Sequence, residues 1–118
     1  MKEFRCLEDV EQAGLSDDVF RIVHGSLREL IECHEKAGFE FNPESDGYTV
    51  LVESGDTDAD VREAIGCSLL EASWDGVSLR GGLFLGVLMR NNQFGISVFV
   101  EDGPHLDPAV RARLMSDV

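Results

Sequence analysis

The hexapeptide "GDTDAD" (Gly55–Asp60) sets Asp56, Asp58 and Asp60 at alternate positions just behind an apolar run. Carboxylates spaced in this way open the calcium loop of an EF-hand. The rest of that loop is missing: Val61 stands where it needs Gly, and Cys67 where it needs the bidentate Glu. A phosphotransfer D-x-D pair puts its first Asp directly after a strand. Here Glu53, Ser54 and Gly55 intervene, and the only lysines, Lys2 and Lys36, both lie upstream. A helix start explains more. Thr57 is a good cap with Asp60 three residues on, and Asp58 and Asp60 suit the positive end of a helix dipole. Only Asp56 is left without a structural task.

Two other places hold reactive residue types. His34 falls on the apolar face of a long amphipathic stretch, where a ring nitrogen bonded to a carbonyl or carboxylate is the ordinary arrangement. His24 lies nearly three turns earlier and cannot share a metal with it. Cys33 is adjacent in sequence but about 100° away around the helix. There is no C-x-x-C and no H-x-x-x-H, so no metal and no cofactor is expected. The second place is "EDGPHLD" (Glu101–Asp107), a loop after the last strand, where Asp102 and His105 form the alternative ligand site, as acid or base. Asp102-Gly103-Pro104 is also ordinary turn chemistry, and Asp107 suits a helix cap. The phosphate-binding and nucleophile-elbow motifs are absent, so catalysis is not the first expectation.

The elements that position these residues follow from periodicity. Behind Ser16, an N-cap type, Val19, Phe20, Val23, Leu27, Leu30, Ile31, His34 and Ala37 share one face of a helix over 17–37, with Gly38 as its stop. Asp17–Arg21, Arg28–Glu32 and Glu32–Lys36 have the spacing of ion pairs on its outer face. "YTVLVE" (48–53) reads as a strand and 58–65 as a short helix stopped by Gly66. "CSLLEASW" is ambiguous, and Asp75-Gly76 reads as a turn. Strands over 77–80, 83–90 and 94–101 are joined by Gly81-Gly82 and Asn91-Asn92 turns. Leu83–Met89 is apolar on both faces and belongs inside the sheet. Asp107 and Pro108 start a last helix. The prediction is an α+β two-layer sandwich, an antiparallel β-meander with a long N-terminal amphipathic helix packed on one face, in the order α-β-α-β-β-β-α, as a single domain over 1–118.

Charge narrows the partners. The net charge is -13, and residues 1–60 carry 16 acids against 5 bases, so the excess sits in the first half. No Lys or Arg falls between Lys36 and Arg62, yet Glu40, Glu44, Asp46, Glu53, Asp56, Asp58 and Asp60 do. Direct nucleic-acid binding needs cations that displace phosphate counterions, and an anionic membrane surface repels such a chain. No stretch approaches the ~20 apolar residues of a membrane span, and "MKEFRCLEDVEQ" lacks the apolar core of a signal peptide. The three cysteines, Cys6, Cys33 and Cys67, are far apart and odd in number, as expected of reduced thiols in a cytoplasm.

The segment "LLEASWDGVSLRGGLFLGV" (Leu69–Val87) resembles the helix-then-strand segment of type III secretion chaperones, which are small, acidic, α+β dimers. Those chaperones place a strand hairpin where this chain has "SGDTDADVREAIG". The resemblance implies a dimeric chaperone-like module, and an unpaired edge strand would equally allow a homodimer. From the residues themselves, the leading expectation is a small acidic non-catalytic binding protein of inhibitor, immunity or adaptor type. It would dock a basic protein partner through Glu40, Glu44, Asp46, Asp56 and Asp58. The alternative is a small-ligand-binding protein or enzyme at Asp102 and His105.

Overall fold

The computed structural model describes residues 1–38, 47–89 and 95–118, with Gly47, Tyr48 and Met89 described by their backbone alone. The elements are β1 (Lys2–Phe4), α1 (Leu7–Gln12), α2 (Asp17–Lys36), β2 (Gly47–Val52), α3 (Asp58–Ile65), β3 (Trp74–Arg80), β4 (Leu83–Met89), β5 (Gly95–Glu101) and α4 (Pro108–Asp117). They form an α+β fold around one five-stranded sheet in the order β1-β2-β5-β4-β3. The β3-β4-β5 meander is antiparallel, as predicted. The first predicted strand, β2, joins it beside β5 and runs parallel to it. The short strand β1 then closes that edge, antiparallel to β2.

The long helix packs on one face of the sheet, as expected. Val23 and Leu27 of α2 and Val10 of α1 are buried against Phe4, Leu51, Leu83 and Phe99. The two-layer description needs extending, because the opposite face is covered too. Val61 and Ile65 of α3 and Leu114 of α4 are buried there with Val50, Phe84, Val98 and Val100. Strand alternation makes both cores at once: in β5, Ile96, Val98 and Val100 point to the α3/α4 side and Phe99 to the α2 side. Strand β4 is interior, between β5 and β3, as its apolar character on both faces required.

Local signals account for most element ends. Gly38 and Gly66 stop α2 and α3 with φ of 85° each, and Gly81 and Gly82 turn the hairpin with φ of 56° and 80°. Ser16 occupies the N-cap position of α2 without a side-chain cap bond. Of the expected ion pairs on α2 none closes; Arg21 lies 4.0 Å from Asp18 instead. Asp75-Gly76 does not turn the chain. It is the irregularity in β3, whose register against β4 shifts between Trp74 and Gly76, so the strand begins at Trp74. The Asn91-Asn92 turn lies outside the described residues, as do Glu40, Glu44 and Asp46.

The indole of Trp74 packs against Gly86 of β4: a Cβ built there would stand 2.4 Å from Trp74 Cε3 and 2.5 Å from Cζ3. The ring is rigid, so a methyl group at this position must displace it. Gly86→Ala is expected to destabilise the fold by roughly 1–3 kcal/mol, the range for overpacking a core. Urea unfolding measures the loss, and the emission of Trp74, the one tryptophan, should shift with it. Unchanged stability and emission would mean the ring is not held there.

Candidate functional site

The parallel register sets Val52 opposite Val100, so β2 and β5 leave the sheet at the same end. Each then turns into a helix that starts there. After β2, the Asp56 N–H donates to the Glu53 carbonyl at 3.1 Å, and the chain enters α3. After β5, the Leu106 N–H donates to the Gly103 carbonyl at 3.1 Å before α4. Carboxyl ends of adjacent parallel strands are where open sheets with crossover connections place their crevices. A cleft of about 250 Å³ lies here. Its floor is apolar, from Val52, Val61, Leu69, Val100, Leu106 and Val110. Its lining also includes Glu53, Asp56, Asp58, Glu101 and Asp107, together with His105, and no Lys or Arg.

The opening question about "GDTDAD" is answered residue by residue. Asp60 Oδ2 accepts the Thr57 N–H at 3.0 Å, and the Thr57 hydroxyl accepts the Asp60 N–H at 3.2 Å, a reciprocal cap on α3. Those bonds from Thr57 hold the Asp60 carboxyl below the ordinary carboxylate range. Asp58 takes the Arg62 Nε at 2.6 Å, and Arg62 also reaches Glu71 at 3.4 Å. The bond to Asp58 pushes the guanidinium up. Asp56, which had no task in the sequence, is nine-tenths buried. It accepts the Glu53 N–H at 2.7 Å and the Met1 ammonium at 2.5 Å. Lys2 reaches Glu53 at 3.1 Å and the Met1 ammonium stands 4.0 Å from it, so three ion pairs tie the start of β1 to the end of β2.

The other two candidates part company. Asp102 is held by Arg111 through both carboxylate oxygens, at 2.9 and 3.3 Å, and its N–H donates to the Gly82 carbonyl at 2.9 Å. It fastens α4 and the β3-β4 hairpin to the end of β5 and does not line the cleft. His105 does line it, exposed, with Nε2 at 3.1 Å from the Glu101 carbonyl. His34 has its Nδ1 at 3.0 Å from the Leu30 carbonyl, the satisfied arrangement read from its position. His24 lies beside Phe20 and 3.5 Å from Glu11. Among the described residues no group of three His, Cys, Asp or Glu is placed to hold a metal ion. No helix among them is long and apolar enough to cross a membrane.

Two residue sets that looked separate therefore meet: Asp56 and Asp58 from one loop and His105 from another share one cleft. Glu53, Glu101, Asp107 and the apolar floor were missed, because nothing local announces that β2 and β5 run side by side. Glu101 is half-buried and has no side-chain partner among the described residues. The Asp107 carboxylate accepts the Ala109 N–H at 2.7 Å, so it meets a helix end and no cation.

No family model matches the chain, and no curated protein or solved structure matches it either. The resemblance of Leu69–Val87 to type III secretion chaperones rests on that segment alone. In the structure the segment is an irregular turn followed by all of β3 and by β4 as far as Val87, preceded by α3.

The charge pairs set an acid limit on stability. Asp102 is held below the ordinary carboxylate range by its bond from Arg111, and Asp9 by the Arg5 N–H. A carboxyl lowered in the folded state stabilises fully above its unfolded pKa, about 4, and loses that contribution as pH falls through the folded value. Protonation also relieves repulsion among the surplus acids, so a difference measurement isolates the pair. Wild type should melt above Asp102→Asn at pH 7, and the gap should close below about pH 4. A gap that does not change with pH would contradict the pairing.

Proposed function

We propose that this protein is a non-catalytic binding protein that docks a basic partner on its acidic surface. The cleft between α3 and α4 receives a cationic side chain of that partner. The observation that carries the reading is the make-up of the cleft: an apolar floor with five acidic residues and no Lys or Arg in its lining. Among the described residues, Glu53, Asp56 and Asp58 are engaged by cations of this chain and Glu101 and Asp107 are not. An arginine or lysine has this shape of preference, an aliphatic stem for the floor and a charged head for the acids. Of the two described residues first expected to dock the partner, Asp56 is buried and bonded, and Asp58 is shared with Arg62. The carboxylate best disposed toward an incoming cation is Glu101, half-buried and unpartnered.

The wider charge supports the same reading. Lys2, Arg5, Arg21, Arg62, Arg111 and Arg113 each sit near a carboxylate of this chain. Acids outnumber bases by 23 to 10, so the field that remains for a partner is negative. Such a field speeds encounter with a cationic surface, and salt weakens it.

A small cationic ligand with an apolar body is the second reading, favoured by the floor. The volume of about 250 Å³ falls below the roughly 300–1,000 Å³ of drug-sized sites, so it suits a small amine better than a nucleotide. A melting shift with aliphatic amines but with no basic protein would favour it.

The test is affinity capture at low and moderate salt, with two variants beside wild type. One is Glu101→Gln/Asp58→Asn in the cleft, and the other is Glu40→Gln/Glu44→Gln/Asp46→Asn. A basic protein should be recovered at low salt and released at moderate salt. The cleft variant should weaken its binding by about tenfold or more, the scale for uncovering a desolvated charge pair. A partner that is not basic, or one that binds the cleft variant equally well, would overturn the reading.

A further inference from the structure

We propose that β3 pairs with β3 of a second copy of this chain, antiparallel about Ser78, to make one continuous sheet through a two-fold dimer. Among the described residues strand β3 is hydrogen-bonded to β4 alone, so its outer row of N–H and C=O groups has no described strand beside it. The bulge lies at the Trp74 end, so the regular stretch Gly76–Arg80, which holds no proline or lysine, is the part of the edge open to another strand. The other edge, β1, has three residues. Leu79, in β3, is 40% exposed.

The side chains choose the second copy and the register. Opposite residues of an antiparallel pair share a face, so a two-fold axis at Ser78 sets Val77 against Leu79 and Gly76 against Arg80, each twice. Val77 and Leu79 lie on the α4 side of the sheet, since their β4 partners are Gly86 and Phe84. That side gains two apolar cross-strand pairs. On the α2 side, a Cβ built at Gly76 meets nothing within 4 Å. A shallow trough runs there past Asp75, Ser78, Leu85 and Val87. Arg80 of the second copy lies opposite Gly76, so its stem fits that open space and its guanidinium reaches Asp75 at the bulge. Asp75 and Arg80 are both exposed, and neither has an ion-pair partner among the described residues. Moving the axis to Val77 sets Asp75 against Leu79, and moving it to Leu79 leaves Asp75 unmatched. Only the axis at Ser78 satisfies both charges and both apolar residues. Strand β3 is two strands away from β5, so this pairing leaves the acidic cleft open.

Sedimentation equilibrium tests this at roughly 100 µM, where a dimer with a micromolar Kd is almost fully formed. Salt of about 0.15 M screens the repulsion between two acidic chains. Wild type should run at twice the monomer mass. Arg80→Asp should weaken the dimer by about tenfold, and adding Asp75→Arg should bring it back to within about threefold. Leu79→Glu, read alongside, should also raise the dimer Kd while its melting temperature shows that it is folded. The proposal is overturned if wild type is monomeric, if Arg80→Asp leaves the dimer Kd from a concentration series unchanged, or if the folded Asp75→Arg/Arg80→Asp variant dimerises no more tightly than Arg80→Asp.

Discussion

The parallel pairing of β2 with β5 is the constraint on which the rest of the structure hangs. Two parallel neighbours need a long crossover between them, and here the crossover consists of α3 and the β3-β4 hairpin. The pairing brings Val52 and Val100 to the same end of the sheet, and both following helices must begin there. Their caps, Thr57 and Asp107, face a shared space. An antiparallel β2 would have carried "ESGDTD" to the other end, away from Glu101 and His105, and there would be no cleft.

Charge then divides into a part that holds the fold and a part that is left over. Asp56, Asp60 and Asp102 are structural: one fastens the end of β2 to β1, one caps α3, and one clamps α4 to the hairpin. Each is engaged with a backbone N–H or a cation of this chain, which gives it a local reason to be acidic. Glu101 has no such reason, and a carboxylate that does nothing for the fold at the mouth of a cleft is the better guide to what the cleft binds. The same distinction separates Asp75 and Arg80 at the β3 edge from the paired charges elsewhere.

Much of this was legible in the sequence. The amphipathic stripe from Val19 to His34 marked α2, and the Thr57–Asp60 spacing marked α3, because capping and helical periodicity are local chemistry. Gly81-Gly82 announced its turn for the same reason. Strand β1 and helix α1 were not legible, since three and six residues are too few for any period to speak. Asp75-Gly76 misled, because the same dipeptide serves a turn and a bulge, and its neighbours in β4 decide which. The cleft was hidden in full. Val52 and Val100 read only as strand ends, and their adjacency depends on contacts across half the chain.

The most direct measurement is an amide chemical-shift titration of the isotope-labelled protein with a short oligo-arginine peptide at low salt, repeated at moderate salt. Shifts concentrated at Val52, Val100, Glu101 and Leu106, fading as salt rises, are the expected result for a cation seated in the cleft. Shifts spread evenly over the acidic surface, with the cleft amides unmoved, would contradict it.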